Sequence, residues 1–215
     1  MAATQIAVER QGRVQIIRMK RPDHGNRVTQ KMAEEMVAAL EDVRQSPSVG
    51  RLEFARAFID LAQAMARLGK PIVAAINGNA HAGGLSLVVA CDMAVVADDA
   101  TLGLPEAARG LFPFLALAIV KDALPKKVLF DLVYGARLMD AAEARNLHLV
   151  NEITARGAVL TRAITIAEQA SAYNPSIVRL GRDLYYNMRN MSPAQALEES
   201  GFALLAALGA EDEAR

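Results

Sequence analysis

Residues 71–97 read PIVAAINGNAHAGGLSLVVACDMAVVA and decide the fold class. The apolar run at 71–77 is typical of a strand covered on both faces, and the glycine-containing segment at 78–84 is a turn. The apolar run at 85–91 predicts a short helix packed beneath the strand, and 93–97 predicts the next buried strand. A strand, turn, helix and strand within about 27 residues indicate a parallel α/β layer.

The turn ends in a pair of glycines, Gly83 and Gly84, at the predicted start of the helix. The first amides of a helix lack intrahelical acceptors, and the helix dipole places positive charge behind them. Glycine has no Cβ, so a ligand oxygen can approach those amides closely. From the residues alone, two interpretations stay open: a site that attracts negative charge, or a tight turn that needs positive φ.

The segments before this unit predict a hairpin and two helices. Residues 4–22 contain two alternating apolar runs around a central glycine, as in a β-hairpin. A helix with Thr29 as its N-cap follows, because apolar residues recur there at helical spacing. A longer helix over 52–70 ends near Gly69, as glycine capping of helix C-termini predicts.

Downstream of the α/β unit the pattern becomes progressively helical. A loop with one helical turn is predicted over 101–111, and several helices and a last short strand follow. From Ala158 onward, all the patterns are helical. The chain therefore divides into a core over residues 1–156 and a C-terminal helical region over residues 157–215.

Composition limits the classes of function. The 215 residues suit one globular domain, and 24 Lys and Arg balance 24 Asp and Glu, so no net field attracts nucleic acid or an anionic membrane. A single cysteine excludes an internal disulfide and a cysteine zinc site, as is typical of cytoplasmic proteins. The N-terminal segment is too charged for a signal peptide, and the longest apolar run is too short to cross a bilayer. We expect a soluble cytoplasmic protein without a metal, nucleic-acid or membrane partner.

A second motif, TLGLPEAARGLFP at residues 101–113, follows the α/β unit. Together the two stretches resemble the crotonase superfamily, the enoyl-CoA hydratases and isomerases. Members of that family read K-P-x-I-A-A-x-x-G-x-A-x-G-G-G-x-E-L-x-x-A-C-D and then F-G-x-P-E-x-x-x-G-x-x-P, and the likeness covers nearly the whole chain. The residues in register with these motifs are Lys70, Pro71, Gly78, Ala80, Gly83, Gly84, Leu87, Ala90, Cys91, Asp92, Gly103, Pro105, Glu106, Gly110 and Pro113.

The resemblance implies an α/β fold of the crotonase type, a spiral of ββα repeats with a C-terminal all-helical trimerisation region. Family members act on acyl-CoA thioesters. Coenzyme A is then part of the substrate, and we expect no separate cofactor. Relatives assemble as trimers or dimers of trimers, so the resemblance also implies a homo-oligomer.

The resemblance assigns chemical roles to Gly83 and Glu106. Family members hold the thioester carbonyl oxygen between two backbone amides, one of which aligns with Gly83. A preorganised donor of this kind lowers the barrier by about 3 kcal/mol. Glu106 aligns with one of two glutamates that flank the substrate, and it would act as acid or base. From residue type alone, Pro-Glu at a helix start is also a common arrangement that favours the helix dipole.

The other glutamate of the motif is replaced by Ser86. Two carboxylates divide the work of water addition, whereas one carboxylate can shuttle a proton between carbons. Loss of a positioned acid or base typically slows a reaction by about a hundredfold to ten-thousandfold. A serine at this catalytic position argues against efficient hydration. It leaves open an isomerase, a slow hydratase, or a variant whose second group comes from elsewhere.

A family segment is absent between the first two helices. Relatives have a buried strand and loop there, V-V-L-T-G-x-G-x-x-F-x-A-G-x-D-L, which supplies the second oxyanion amide. Here EDVRQSPSVG, residues 41–50, runs directly into the next helix. Removal of a central strand leaves the backbone groups of its neighbours unpaired. We infer that residues between Gly50 and Arg51 are either omitted from the sequence or truly deleted, and a true deletion would favour a non-catalytic protein.

The resemblance also predicts substrate contacts near the two motifs. His24 and Gly25 align with a loop whose backbone touches the adenine of coenzyme A. Gly84 lies beside the oxyanion amide. His81 either packs in the core or makes a polar contact with the substrate or with Ser86.

Apolar residues after the second motif would form the acyl pocket. Leu104, Phe112 and Phe114 are expected to line a dry pocket beside Glu106. Such a pocket would raise the pKa of the Glu106 carboxyl toward a value that suits a base.

Two functions of other classes stay open. The first is a non-catalytic acyl-CoA-binding or assembly protein that keeps the fold. The second is a serine hydrolase that uses Ser86 with His81, although the G-x-S-x-G motif is absent and no third member is evident.

Overall fold

The computed structural model describes residues 4–11, 14–24, 28–40 and 50–212. Its first element is an antiparallel hairpin of β1, Ile6–Gln11, and β2, Val14–Met19. The register places Ile6 opposite Met19. The predicted hairpin is confirmed, and its turn at Gly12 lies outside the described residues.

Two helices follow and pack against each other: α1, Gln30–Leu40, and α2, Gly50–Ala66. The Thr29 hydroxyl accepts a hydrogen bond from the Met32 amide at 3.1 Å, so the predicted N-cap is confirmed. After α2 the chain reverses at Gly69, whose φ of +66° is a conformation that glycine adopts readily.

The predicted α/β unit consists of β3, Val73–Ile76; β4, Ala80–His81; α3, Gly83–Ala90; and β5, Met93–Ala97. β3 and β5 are parallel neighbours with Val73 opposite Met93, which confirms the predicted parallel layer. α3 includes the glycine pair that the sequence pattern assigned to the turn.

α3 lies between two apolar clusters. Leu85 and Val88 belong to the larger cluster, which includes Val95 of β5. Leu87 belongs to the smaller cluster, which includes Phe58 of α2. α3 is apolar around its whole circumference because both of its sides are covered.

A third sheet includes residues that the sequence pattern predicted as a loop. β6, Thr101–Gly103, and β7, Leu138–Asp140, join β4 in the order β4-β6-β7. β4 and β6 are parallel, with His81 opposite Gly103. The loop prediction for residues 101–111 is therefore wrong at its start, because so short a strand shows no alternation. Gly103 permits close packing, since a Cβ there would lie 2.7 Å from the Arg137 carbonyl oxygen.

The remaining core elements are α4, Phe114–Val120; α5, Lys126–Tyr134; α6, Ala141–Asn146; and β8, Glu152–Thr154. The Asp140 carboxylate accepts a hydrogen bond from the Glu143 amide at 2.7 Å and so caps α6. β8 runs parallel to β5 and completes the order β3-β5-β8. The helices and the last strand predicted for this part of the chain are confirmed.

The C-terminal third is helical, as predicted: α7, Val159–Ser171; α8, Pro175–Asn187; and α9, Pro193–Asp212. α7 packs on β3 and β5 and buries Val159 and Ile166 in the larger cluster. α9 contacts α8, and many of its apolar side chains are exposed. α7 therefore packs as part of the core, although the sequence analysis placed it in the C-terminal region. The domain boundary after residue 156 and the role of residues 157–215 in oligomerisation stay predictions. Across the described ranges, no helix has both the length and the apolar character needed to cross a membrane.

The junction with the absent family segment lies between α1 and α2. Residues 41–49 fall outside the described part of the chain. Gly50 and Arg51 both belong to α2, so the backbone is helical on either side of their peptide bond. Within the described residues, the β1-β2 sheet and the β3-β5-β8 sheet are not hydrogen-bonded to each other.

Candidate active site

The turn before α3 has an unusual backbone conformation. Ala82 has φ 56° and ψ −123°, a region that glycine adopts far more readily than alanine. The Ala82 amide donates a hydrogen bond to the Gly103 carbonyl at 2.9 Å, and this bond ties the turn to the end of β6. The sequence held a signal for this strain, because the crotonase motif has a glycine where this chain has Ala82.

The space around Gly83 is tight, whereas its dihedral angles do not call for glycine. Among the described glycines, positive φ occurs at Gly69 and Gly110, not at Gly83 or Gly84. The interpretation of the pair as a turn that needs positive φ is therefore wrong. A Cβ on Gly83 would lie 3.2 Å from a ring carbon of Phe58, so a side chain there would press on the smaller cluster.

The amides of Gly83 and Gly84 are available to a ligand. They belong to the first turn of α3, in which amides have no intrahelical acceptors. No other group in the described part of the chain accepts a hydrogen bond from either amide. The positive end of the α3 dipole lies behind them, so the turn favours an oxygen that carries negative charge.

Glu106 lies in a short 3-10 helix, Pro105–Arg109, directly after β6. Its Oε2 atom is buried, and no described residue donates a hydrogen bond to it. Burial raises the pKa of the Glu106 carboxyl, while a hydrogen bond from its own backbone and the charge of Arg109 oppose the rise. A carboxyl with a raised pKa and a free oxygen is suited to accept and return a proton.

The pairing of β4 with β6 brings these two features to one edge of the small sheet. The Ala82–Gly103 hydrogen bond lies at that edge. In the sequence, Gly83 directly follows Ala82, and Glu106 comes shortly after Gly103. Because parallel strands end at the same edge, the free amide and the carboxyl lie beside each other in the topology although they are far apart in sequence.

The structure places Ser86 in the interior of the chain. It is fully buried, and its hydroxyl donates to the Ala82 carbonyl at 3.5 Å, within the first turn of α3. Burial alone does not decide the role of this hydroxyl, since the Glu106 Oε2 atom is buried as well. The direct catalytic contact that the motif alignment predicted stays a prediction.

His81 is partly buried, and its Nε2 atom lies 2.9 Å from the Thr101 hydroxyl on β6. Burial lowers the pKa of His81, the charge of Arg109 lowers it further, and a hydrogen bond with the Thr101 backbone opposes both effects. Burial and the charge of Arg109 thus favour the neutral imidazole. His81 contacts Thr101 while Ser86 contacts Ala82, so the hypothesis of a Ser86–His81 hydrolase is contradicted. The sequence analysis did not predict the contact with Thr101, because it did not predict the strand β6 that carries this residue.

The expected acyl-pocket residues differ in their burial. Leu104 is fully buried in the larger cluster, and Phe112 packs against that cluster. Phe114 is 76% exposed, with its ring centroid 5.3 Å from that of Phe112. The expectation that Phe114 lines a dry pocket is therefore wrong within a single chain. Gly25 and the side chain of His24 lie outside the described residues, so their contact with adenine stays a prediction.

Two cavities of ≈ 600 Å³ and ≈ 870 Å³ lie against α2, α4 and α8, and neither is lined by Gly83 or Glu106.

Arg182 of α8 borders the first cavity. Its Nε donates to the Asp92 carboxylate at 2.9 Å, and its Nη1 donates to the Ala66 carbonyl at 2.8 Å. Asp92 also accepts a hydrogen bond from the Ile72 amide at 2.7 Å. These contacts fasten α8 to the core and give Asp92 a structural role. Over the described residues, no cluster of His, Cys, Asp and Glu is arranged to hold a metal.

Comparison with known proteins identifies the family. A family model described as enoyl-CoA hydratase/isomerase matches residues 51–202. The chain belongs to the enoyl-CoA hydratase/isomerase family. A Thermus thermophilus protein that carries the name of an enoyl-CoA hydratase is 32% identical over 225 aligned positions, which cover 91% of this chain and 87% of that relative. Enoyl-CoA hydratase EchA19 of Mycobacterium tuberculosis is 29% identical over 204 positions, which cover 80% of this chain and 76% of that relative.

Solved structures confirm the crotonase fold. The crystal structure of an enoyl-CoA hydratase from Mycobacterium smegmatis has a TM-score of 0.86 and 21% identity, and the match covers 95% of this chain and 91% of that one. Membership of the hydratase/isomerase family makes this chain an enzyme of that family. The Thermus alignment has 225 positions although this chain has 215 residues, so that relative contains residues with no counterpart here.

Proposed function

We propose that this enzyme acts on an enoyl-CoA thioester through an enolate intermediate. The Gly83 amide donates a hydrogen bond to the thioester carbonyl oxygen, and the Glu106 carboxyl moves the proton. The observation that carries this proposal is the buried Oε2 of Glu106, which has no hydrogen-bond partner among the described residues. It lies near the sheet edge where the Gly83 amide, also without a partner in that part of the chain, begins α3.

The Gly83 amide would stabilise the charge that develops during the reaction. When the carbon next to the thioester carbonyl loses its proton, negative charge accumulates on the carbonyl oxygen. One preorganised donor lowers such a barrier by about 3 kcal/mol. The turn is preorganised because the Ala82–Gly103 hydrogen bond fixes its position before substrate binds.

Glu106 would act first as a base and then as an acid. Its carboxylate takes a proton from the α-carbon of a β,γ-unsaturated thioester, and the electron pair moves onto the carbonyl oxygen. The glutamic acid so formed returns a proton to the γ-carbon, which shifts the double bond to the α,β position. One C–H bond breaks, another forms and the carboxylate is regenerated, so no separate cofactor is needed and coenzyme A is part of the substrate.

Isomerisation is favoured over hydration because a buried serine, Ser86, replaces the second glutamate of the motif. Hydration needs a second group that activates water, and the motif position for that group holds a fully buried serine bonded within α3. A proton shuttle between two carbons needs only the Glu106 carboxyl. The names of the relatives keep hydration as the alternative reaction.

A product analysis separates these reactions. Purified full-length protein is incubated with β,γ-unsaturated and with α,β-unsaturated acyl-CoA, and products are resolved by chromatography and mass spectrometry. We expect the β,γ-unsaturated thioester to become the α,β isomer with no change in mass. A faster gain of one water by the α,β-unsaturated thioester would identify a hydratase instead. Failure to bind any acyl-CoA would overturn the proposal.

A second candidate is a non-catalytic acyl-CoA-binding or assembly protein. Two observations keep this candidate as the alternative to the enzyme: the Thermus relative has residues that this chain lacks, and neither cavity is lined by Gly83 or Glu106. Calorimetric binding of acyl-CoA, together with no conversion of unsaturated or branched thioesters, would establish this candidate.

We also propose a homo-oligomer, a trimer or a dimer of trimers, assembled through the C-terminal helices. The support is an unusually apolar exposed surface on α9, because a helix that shows large apolar side chains to solvent is typical of an interface. Its exposed apolar residues are Leu197, Phe202, Leu204, Leu205 and Leu208. Analytical ultracentrifugation of the full chain should give a multiple of three, and a monomer at micromolar concentration would contradict the assignment.

A further inference from the structure

The peptide group between Ala82 and Gly83 joins the strained residue to the candidate oxyanion donor. A trans peptide is planar, and its carbonyl and amide point in opposite directions. The described residues contain no cis peptide bond. Whatever fixes the Ala82 carbonyl therefore also sets the direction of the Gly83 N–H.

Ser86 fixes that carbonyl through two contacts. Its amide donates to the Ala82 oxygen at 3.3 Å and its hydroxyl donates to the same oxygen at 3.5 Å. The Ser86 side chain is fully buried, so water does not offer its hydroxyl an alternative partner. A buried hydroxyl without a partner is unfavourable, and this keeps the contact in place.

The strain at Ala82 explains why such a restraint is needed. Alanine at φ 56° and ψ −123° would relax if the adjoining peptide plane rotated. That rotation would turn the Gly83 amide away from its direction at the start of α3. Hydrogen bonds on both sides of Ala82 oppose the rotation, from Ser86 to its carbonyl and from its amide to Gly103.

We propose that Ser86 is a positioning residue for the oxyanion donor: its hydroxyl holds the Ala82–Gly83 peptide so that the Gly83 N–H points at the thioester oxygen. The inference rests on the proposed function of the Gly83 amide. A donor to the carbonyl also polarises the peptide and makes its N–H a stronger donor. Ser86 therefore orients the Gly83 N–H, whereas a glutamate at this motif position would transfer a proton itself.

The test compares two serines that make the same kind of bond. Ser86→Ala removes the hydroxyl at the site. Ser200→Ala is the matched control, because the Ser200 hydroxyl donates to the Ala196 carbonyl at 2.7 Å with the same four-residue spacing, inside α9. The measurements are kcat, KM and the absorption spectrum of a bound conjugated enoyl-CoA, whose band moves to the red as its carbonyl is polarised.

Ser86→Ala should lower kcat by about fivefold to tenfold and leave KM within about twofold, as expected for loss of one hydrogen bond that matters in the transition state. The red shift of the bound thioester should shrink in parallel. Ser86→Cys, which keeps a weak donor of similar size, should give intermediate values. Ser200→Ala should match the unmodified protein in all three measurements.

A double variant tests the link to strain. In an Ala82→Gly background the backbone conformation is relaxed, so the restraint by Ser86 is less needed. Ser86→Ala should then lower kcat by less than about twofold. An equal loss in both backgrounds would contradict the proposal.

The outcomes separate this inference from the proposed function. If the unmodified protein binds the conjugated thioester without any red shift, the oxyanion role of Gly83 fails and this inference fails with it. If the shift is present and Ser86→Ala leaves both the shift and kcat unchanged, only the positioning role is overturned. A Ser86→Ala protein that does not fold, beside a folded Ser200→Ala protein, would make Ser86 a structural residue and would also overturn the inference.

Discussion

α3 and α9 are both rich in apolar residues around their whole circumference, yet their surroundings are opposite. Leu85 and Leu87 of α3 are buried against two different clusters. Leu204 and Leu205 of α9 are exposed, and this helix contacts α8 within the chain. The same kind of sequence therefore gives a central core helix in one region and an uncovered helix in the other.

This difference shows that an apolar sequence predicts that a helix will be buried, but it does not predict whether the same chain or another molecule buries it. Strand β4 and helices α2 and α4 contact α3, so its N-terminal amides are held in place by the core. α9 has no comparable neighbours among the described elements, and a second copy of the chain is the partner that we propose. The first environment positions the candidate site rigidly, and the second leaves the apolar surface of α9 exposed for the interface that we propose.

The largest expected effect compares a leucine from each helix. Leu85→Ala should lower the free energy of unfolding by about 2–5 kcal/mol, because it leaves a cavity in the larger cluster. Leu205→Ala should change the stability of the folded chain by less than about 0.5 kcal/mol but should weaken self-association. Denaturant titrations at equal protein concentration, combined with ultracentrifugation, measure both effects. Equal losses of stability would contradict the contrast.

A glycine from each helix gives the next effect. Gly83→Ala should destabilise the fold by about 1–3 kcal/mol and lower turnover, because the new Cβ presses on Phe58. Gly201→Ala in α9 has nothing within 4 Å of its Cβ and should stabilise the helix by about 0.5–1 kcal/mol. Thermal unfolding and a turnover assay of both variants check this opposite sign, and changes of the same sign would refute it.

Substitution of alanine by glycine should change stability in opposite directions at the turn before α3 and within α9. Ala82→Gly relieves an unfavourable backbone conformation and should stabilise the protein by about 1 kcal/mol, after allowing for the entropy of glycine. Ala203→Gly in α9 should destabilise it by about 1 kcal/mol, because glycine is a poor helix former. Denaturation midpoints decide the matter. A destabilised Ala82→Gly variant would show that the turn is not strained.

The smallest expected effect is a displaced pH dependence. Because burial raises the pKa of Glu106 and the base must be ionised, kcat/KM should fall on the acid side at a pH above the ordinary glutamate range. For stability the sign is opposite. The contribution of Glu106 is complete below the pKa of the unfolded chain and is lost as the pH rises through the raised folded pKa.

A pH–rate profile and a pH series of unfolding measurements test both statements. Glu106→Gln should remove the pH dependence of stability that this residue causes, whereas Glu198→Gln on α9 should leave it unchanged. An acid limb at the ordinary pKa of a glutamate would show that the carboxyl is not buried in the working enzyme.

Much of the fold was predictable because its elements are long or strongly patterned. The β3–α3–β5 unit, the N-cap at Thr29 and the helices of the C-terminal third follow from periodicity and capping. The strands β4, β6 and β7 did not, because two or three residues show no alternation and their pairing depends on distant segments.

The site was predictable only in part for the same reason. The alignment pointed to Gly83 and Glu106, but the hydrogen bond that joins their segments runs through β4 and β6. The burial of Ser86 and the exposure of Phe114 depend on which neighbours the tertiary structure supplies, and residue type does not reveal them.

Turnover of Glu106→Gln beside Glu198→Gln tests the central claim most directly. Both substitutions exchange a carboxyl for an amide of the same shape, one at a buried carboxyl after β6 and one on the exposed surface of α9. We predict that Glu106→Gln lowers kcat on every accepted enoyl-CoA by about a hundredfold to ten-thousandfold and that Glu198→Gln leaves kcat unchanged. Full turnover by a folded Glu106→Gln protein would contradict the account.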